Sequence, residues 1–491
     1  MKSKLESFAI LADGGFRKIG EVHKDESSGV TSSGISSVYT ESPMTKDKVS
    51  GIGSIGKQHT VATLLKLWDQ ELSEESKSEG DKWFEDGENI GMNVRLSKFM
   101  PALKEKYPDC ETFFSEIEKY EYFDKITLAD LVNHTHGLGA RNNDKMFDLI
   151  MQSDVSPLSF SDIVKSTQKR LNEDGTPFDE YGKFCYGNVG FDLVGMIVET
   201  ITNQPFDEVM KKTVLEPYEL NNTYTQSDNQ NLYQEDSALD VATGFYQHGN
   251  KGEANFNKLT NTRAAGGMKS TIADLEKFAH LFMGGEMFEN AQVKDAVSQR
   301  GGRKYHLAIE ENEDGTLGHK GDDMVFRSNL KLNPETNKVE TELQVLENLT
   351  HHISRQAFEK LYGSDRAKEL DSAVVDSGFF PIFHSSGRPK PGGEKFNEIA
   401  QGLLQSNPKL DQLMSDYSAI REAVMTHDTK SLKEEMGKVV ESVVKDLSEE
   451  KQSFVERLVL QKPDEKPRSF VEAMQAGKYG NIGSKGGARE L

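Results

Sequence analysis

Ser54 and Lys57 stand three residues apart in Gly51-Ile-Gly-Ser-Ile-Gly-Lys57, immediately ahead of an apolar helical pattern. A serine hydroxyl is a poor nucleophile until a base takes its proton. A lysine serves as that base only when burial or a cationic neighbour lowers its pKa. Spacing of three puts both side chains on one helix face, and a helix start aims unpaired N–H groups and positive potential at its first turn. Gly51 and Gly53 let backbone come close to a ligand. The pattern alone is weak, because Ser-x-x-Lys occurs six times, at Ser54, Ser166, Ser328, Ser406, Ser442 and Ser448.

Acyl transfer also needs a second proton carrier and donors for an oxyanion. Tyr186 and Asn188 offer polar groups at a tight turn in Phe184-Cys-Tyr-Gly-Asn188, although Tyr-x-Asn recurs at Tyr479. His319 and Gly321 stand in Leu317-Gly-His-Lys-Gly321 at a strand entrance, and His-x-Gly appears once in the chain. From Ser54 to Tyr186 is 132 residues and from Tyr186 to His319 is 133.

The elements that must position these groups follow from periodicity. Val61, Leu64, Leu65, Trp68 and Leu72 keep helical spacing after Ser54. Residues 126–138 predict a helix ending at Gly137, and residues 191–220 predict two helices split at Gln204-Pro205. Ser270 or Thr271 caps a helix that Gly284-Gly285 stops. Residues 7–22 predict a hairpin turning at Asp13-Gly14-Gly15, residues 27–37 a polar loop and residues 71–89 an acidic, solvated insertion. After Gly321 come two strands joined at Asn333-Pro334, then a helix closing at Gly363. Strands from both ends with helices between them predict an α+β fold with one sheet built from both chain ends.

The three motifs, in this order, resemble those of the serine β-lactamase and penicillin-binding-protein superfamily, specifically the class C β-lactamase-like hydrolases of the D,D-carboxypeptidase and esterase branch. Residues 126–138, 197–224, 264–278 and 343–351 are similar to the family's stretches outside the motifs, so the resemblance runs from about residue 5 to 363. It implies a β-lactamase/transpeptidase-like fold, an antiparallel sheet with flanking helices and a helical subdomain. It implies a serine hydrolase forming an acyl-enzyme on a small ester, amide or peptide, with no cofactor and no metal. Ser54 is then the nucleophile, Lys57 its base and Tyr186 the proton shuttle. Asn188, His319, Lys320 and Gly321 line the substrate, and the Ser54 and Asp322 N–H groups form the oxyanion hole. Three positions depart from the family pattern. Lys320 stands where Thr or Ser is usual, Asp322-Asp323-Met-Val-Phe follows Gly321 in place of a Gly-rich run, and His136 replaces a Ser. Negative charge from Asp322 and Asp323 predicts a preference for esters or uncharged amides over β-lactams. The alternative is a binding or effector protein that keeps the fold and has lost catalysis.

The bulk numbers bound the rest. The chain has 491 residues, a formal net charge of −21 and two cysteines, Cys110 and Cys185. Such acidity argues against nucleic acid or an anionic membrane as partner, and two cysteines suit a reducing compartment. No apolar run reaches about 18 residues, so no membrane span is expected, and the N-terminus lacks a secretory apolar core, which predicts a cytoplasmic location or export by a route that needs no N-terminal signal. His134 with His136, and His351 with His352, lack accompanying metal ligands. Residues 364–491 carry 19 Lys and Arg against 21 Asp and Glu, so all but −2 of the net charge belongs to residues 1–363. That shift predicts a hydrolase domain over 1–363, a linker over 364–395 and a helical extension over 396–491 with a disordered end, open to a protein partner.

Overall fold

The computed structural model describes residues 2–12, 15–25, 29–37, 42–73, 82–138, 159–167, 179–228, 241–247, 253–255, 263–323, 325–376, 394–426 and 434–445. The strands in chain order are β1 (Arg17–Asp25), β2 (Gly29–Gly34), β3 (Ser50–Gly51), β4 (Glu85–Asp86), β5 (Asn89–Ile90), β6 (Phe245–Gln247) and β7 (Glu253–Asn255). They continue as β8 (Lys269–Ser270), β9 (Tyr305–His306), β10 (Ile309–Glu311), β11 (Leu317–Asp323), β12 (Phe326–Asn333) and β13 (Lys338–Glu347). The main sheet runs β2-β1-β13-β12-β11-β10-β9, with β6 and β7 attached beside β13. The path is antiparallel throughout, and β1 from the start of the chain lies against β13 from the end of the hydrolase region. The sheet is therefore built from both ends, as the element order predicts. Burial alternates strictly along β12, with Phe326, Ser328, Leu330 and Leu332 inside. That inner face packs on the helix Ile272–Met283, as the two-residue period of a half-buried strand requires.

The helical layer centres on Gly56–Ser73, which is buried along most of its length, and on Val189–Thr202, whose first ten residues are all buried. A helix enclosed on all sides belongs in a core, and both contribute to one continuous apolar cluster. Thr271 caps Ile272–Met283 by accepting from the Asp274 N–H. The helix Val189–Thr202 ends before Gln204-Pro205, and Phe206–Met210 follows.

Several expectations are corrected. The first apolar run forms a helix, Lys2–Ala12, and the hairpin is instead β1 with β2. Phe8 and Ala12 are buried one turn apart in that helix, while all six residues of β2 are exposed. An edge strand without an apolar face carries no alternation to read. The helix Leu128–Val132 stops five residues early, because His134 takes a left-handed conformation at φ 59°. Glu71 is no solvated acid, since its carboxylate accepts from the Trp83 and Phe84 N–H groups, each at 2.8 Å.

The proposed division of the chain also changes. Residues 364–376 are helical, so the linker does not begin at 364, and residues 377–393 lie outside the described residues. The helices Glu394–Ser406, Pro408–Thr426 and Glu434–Lys445 do not stand apart. They close over Lys2–Ala12 and Leu349–Tyr362, sharing the main apolar cluster through Phe396, Met414 and Tyr417. Lys4 pairs with Asp411 at 2.7 Å, and Arg421 donates to Ser7 Oγ at 3.0 Å. Charge balance is a surface property and cannot report this burial. The predicted disordered end lies outside the described residues.

Candidate active site

Ser54 occupies a tight 3₁₀ turn, Gly53–Ile55, that leads directly into the helix Gly56–Ser73. Two glycines make that position possible. Gly53 has φ +47°, and a Cβ there would sit 2.7 Å from the Asp322 nitrogen. A Cβ at Gly321 would sit 2.0 Å from the Ile52 carbonyl oxygen and 2.2 Å from Ser328 Oγ. Only bare backbone lets β11 run against the serine turn. Ser328 Oγ locks the approach by donating to the Ile52 carbonyl at 2.7 Å.

Lys57 lies fully buried one turn beyond Ser54. Its Nζ is 3.0 Å from Ser54 Oγ, 2.9 Å from Asn188 Oδ1 and 2.6 Å from the Ala265 carbonyl oxygen. The rings of Tyr186 and Phe191 close the remaining sides, with centroids 5.1 and 5.4 Å from Nζ. Loss of water lowers the Lys57 pKa to about 7, against a smaller upward pull from Asp192. Asn188 sits at the N-cap of Val189–Thr202, yet its side chain caps no helix N–H. Local helix stability is given up for the contact with Lys57.

Neutral Lys57 has two N–H donors and one lone pair. Asn188 and Ala265 take the two donors, which leaves the lone pair for the Ser54 O–H. The same three contacts serve the ammonium form, with Ser54 Oγ then the acceptor. The site therefore holds a proton on either side of the Lys57–Ser54 bond without rearrangement.

Tyr186 borders the pair with its ring 5.1 Å from Lys57 Nζ, and burial drives its hydroxyl well above the usual tyrosine range, with Ser54 pulling the other way. Asp192, four residues after Asn188 and buried, is pushed up to about 7 by desolvation, against the charges of Lys57 and Arg263. Sequence reasoning passed over Asp192, which belongs to no short motif.

His319 is buried beside Tyr186, with ring centroids 6.2 Å apart. Lys320 points away from this cluster and is exposed. The Asp322 carboxylate faces Arg327 Nε at 3.3 Å, and Asp323 is a charge partner of the buried Lys269. The sequence expectation that these two acids repel a substrate carboxylate loses its basis, because both are matched by cations. Tyr305, which the sequence reading left out, lies between His134 and His319. His136 Nδ1 accepts from the Leu138 N–H at 2.9 Å, and His351 Nδ1 bonds Tyr417 at 2.6 Å. The histidines considered as metal ligands thus have structural partners.

The β-lactamase family model matches residues 17–352, a span that contains Ser54, Lys57, Tyr186, Asn188 and His319. The chain belongs to the β-lactamase family, a family of serine hydrolases. A relative named "Putative D-alanyl-D-alanine carboxypeptidase" from Salmonella schwarzengrund is 25% identical over 134 residues, 27% of this chain and 28% of the relative. The chain thus spans little more than a quarter of that curated relative's length. Two solved structures are also similar. The D-amino acid amidase of Ochrobactrum anthropi SV3 complexed with L-phenylalanine amide has a TM-score of 0.48 at 16% identity, covering 70% of this chain and 91% of its own. The octameric penicillin-binding protein homologue of Pyrococcus abyssi has a TM-score of 0.49 at 19% identity, covering 77% and 78%. The family assignment rests on the family match alone.

Proposed function

We propose that this chain hydrolyses a small ester or amide through an acyl-enzyme on Ser54. The observation that carries the reading is the 3.0 Å contact between Ser54 Oγ and a fully buried Lys57 Nζ whose pKa is lowered to about 7. Lys57 takes the Ser54 proton as Oγ bonds to the substrate carbonyl carbon. The Ser54 N–H and the Asp322 N–H receive the developing oxyanion, a reading supported by the close passage of β11 over Gly53. The carbon–leaving-group bond then breaks. Tyr186 hands a proton to the departing oxygen or nitrogen, and the proton held by Lys57 balances it. Water adds to the acyl carbon with Lys57 again as base, releasing the acid and restoring the serine. Asn188 keeps Lys57 aimed and offers its amide N–H groups to the acyl side chain. His319 and Gly321 line the facing strand, and Lys320 stands at its outer rim.

Treatment with a fluorophosphonate followed by peptide mass analysis tests the reading. The adduct is expected on Ser54, absent in Ser54→Ala and strongly reduced in Lys57→Ala. Folded wild-type protein that takes up no label at Ser54 would replace the hydrolase reading with that of a binding protein on the same fold.

A further inference from the structure

Beside the serine, three side chains join elements that are distant in sequence. His134 Nε2 lies 3.2 Å from the Tyr305 hydroxyl, and that hydroxyl lies 2.9 Å from His319 Nε2. The far ends of the chain are also held. The Gly187 N–H donates to His134 Nδ1 at 3.3 Å, and His319 Nδ1 lies 2.5 Å from the Lys320 carbonyl oxygen. These end groups decide where the protons are. A backbone N–H facing His134 Nδ1 makes that nitrogen an acceptor, so His134 carries its proton on Nε2 and donates to Tyr305. A carbonyl oxygen facing His319 Nδ1 makes that nitrogen a donor, so Nε2 accepts from Tyr305. The Tyr305 hydroxyl accepts once and donates once, and every bond runs in one direction.

This arrangement is also anchored. Asn133 Oδ1 accepts the Leu307 N–H at 2.7 Å, which ties the β9–β10 hairpin to the left-handed turn at His134. His134 packs on the Tyr186 ring, with centroids 4.3 Å apart. His134 and His319 are both buried.

We propose that Tyr305 is a positioning residue: its hydroxyl bridges His134 and His319, holds both imidazoles neutral and fixes the Tyr186 ring, so that neither imidazole adds a positive charge beside Lys57. The inference rests on the hydrolase reading for its consequence but not for its geometry. A second proton on His134 would point Nδ1–H at the Gly187 N–H. A second proton on His319 would point Nε2–H at the Tyr305 oxygen and strip the tyrosine proton of its acceptor. The titratable groups facing the bridge are Tyr186, with Lys57 behind its ring, and Glu310 on β10, which acts on both tyrosines. Burial, with the charge of Glu310 added to it, keeps both tyrosine hydroxyls protonated.

The test uses full-length protein labelled with ¹⁵N-histidine and titrated from pH 8 to 5, with His134→Gln and His319→Gln assigning the signals. Wild type should show His134 as the Nε2–H and His319 as the Nδ1–H neutral tautomer down to about pH 5.5. In Tyr305→Phe, His319 should titrate near the ordinary imidazole value of about 6.5. Fluorophosphonate labelling of Ser54 below pH 6 should then fall with slope two on a log–log plot instead of one. At pH 7.5 the variant should lose about tenfold in kcat with KM little changed, the scale of one hydrogen bond. A cationic His319 in wild type at pH 7, or the opposite tautomer, overturns the inference. Should Tyr305→Phe not fold, the wild-type tautomers alone decide. Absence of Ser54 labelling in wild type with both neutral tautomers present sinks the hydrolase reading and not the bridge.

Discussion

The pH dependence of Ser54 acylation is the most direct consequence of burying Lys57. An exposed lysine titrating at 10.5 is about one part in 300 neutral at pH 8, whereas one titrating at about 7 is about nine-tenths neutral. Burial therefore multiplies the competent base by roughly 300 at that pH. Labelling rate should be flat above about pH 8 and fall tenfold per unit well below 7. Asp192 supplies the perturbation. Its charge pulls the Lys57 pKa upward, so Asp192→Asn, which keeps shape and removes charge, should move the acid midpoint to lower pH by on the order of one unit. Because Asp192 itself is pushed up to about 7, the two groups titrate as a pair. The wild-type midpoint belongs to both, and in the variant it belongs to Lys57 alone. Stopped-flow labelling with a fluorogenic phosphonate across pH 5 to 10 reads both effects. A wild-type midpoint near 10, or an Asp192→Asn midpoint that moves upward, would refute the assignment of Lys57 as base.

Two further outcomes follow from the packing. Gly53→Ala places a Cβ 2.7 Å from the Asp322 nitrogen at φ +47°, so it should cost about 1–2 kcal/mol of backbone strain and slow Ser54 labelling at least tenfold, read by thermal unfolding and labelling rate together. Truncation after Gly363 uncovers Phe8, Ile353 and Phe358, which are each fully buried; at about 1.5–3 kcal/mol apiece the loss should abolish the cooperative thermal transition or lower it by many degrees, and an unchanged melting temperature would restore the picture of an independent tail.

The site was more legible than the framework around it. Ser54, Lys57, Tyr186 and Asn188 could be paired from sequence because short motifs bring their residues together within one turn. Their order along the chain also matched a known pattern. Tyr305 and Asp192 could not, since neither belongs to a short motif and each acquires its role only when β9 and the helix Val189–Thr202 meet the serine turn. The sheet from both ends of the hydrolase region was legible through the order of elements, with strands opening and closing it around a run of helices. The polar edge strand β2 was not, because every residue of it faces solvent. The tail was misread for the same reason. Residues 364–491 differ from the rest in surface charge, while their attachment runs through Phe396, Met414 and Tyr417 in the shared core, which charge does not report.

Basicity alone would not have identified the base. Lys269 is also fully buried and is lowered to about 7 by desolvation, with Asp323 opposing. The two lysines lie on opposite sides of the nucleophile segment: Lys57 follows it, and Lys269 pairs with Gly51 across β3 and β8. Each has an acid as its charge partner, Asp192 buried and Asp323 half-buried, and desolvation pushes each acid up to about 7. They differ in what the nitrogen reaches. Lys57 Nζ touches Ser54 Oγ, whereas the Lys269 side chain runs toward Phe326 and Asp323. Lys269 on β8 and Asp323 on β11 act on one another through charge beside the serine turn. On the hydrolase reading, what separates Lys57 from Lys269 is one contact, the 3.0 Å from Lys57 Nζ to Ser54 Oγ.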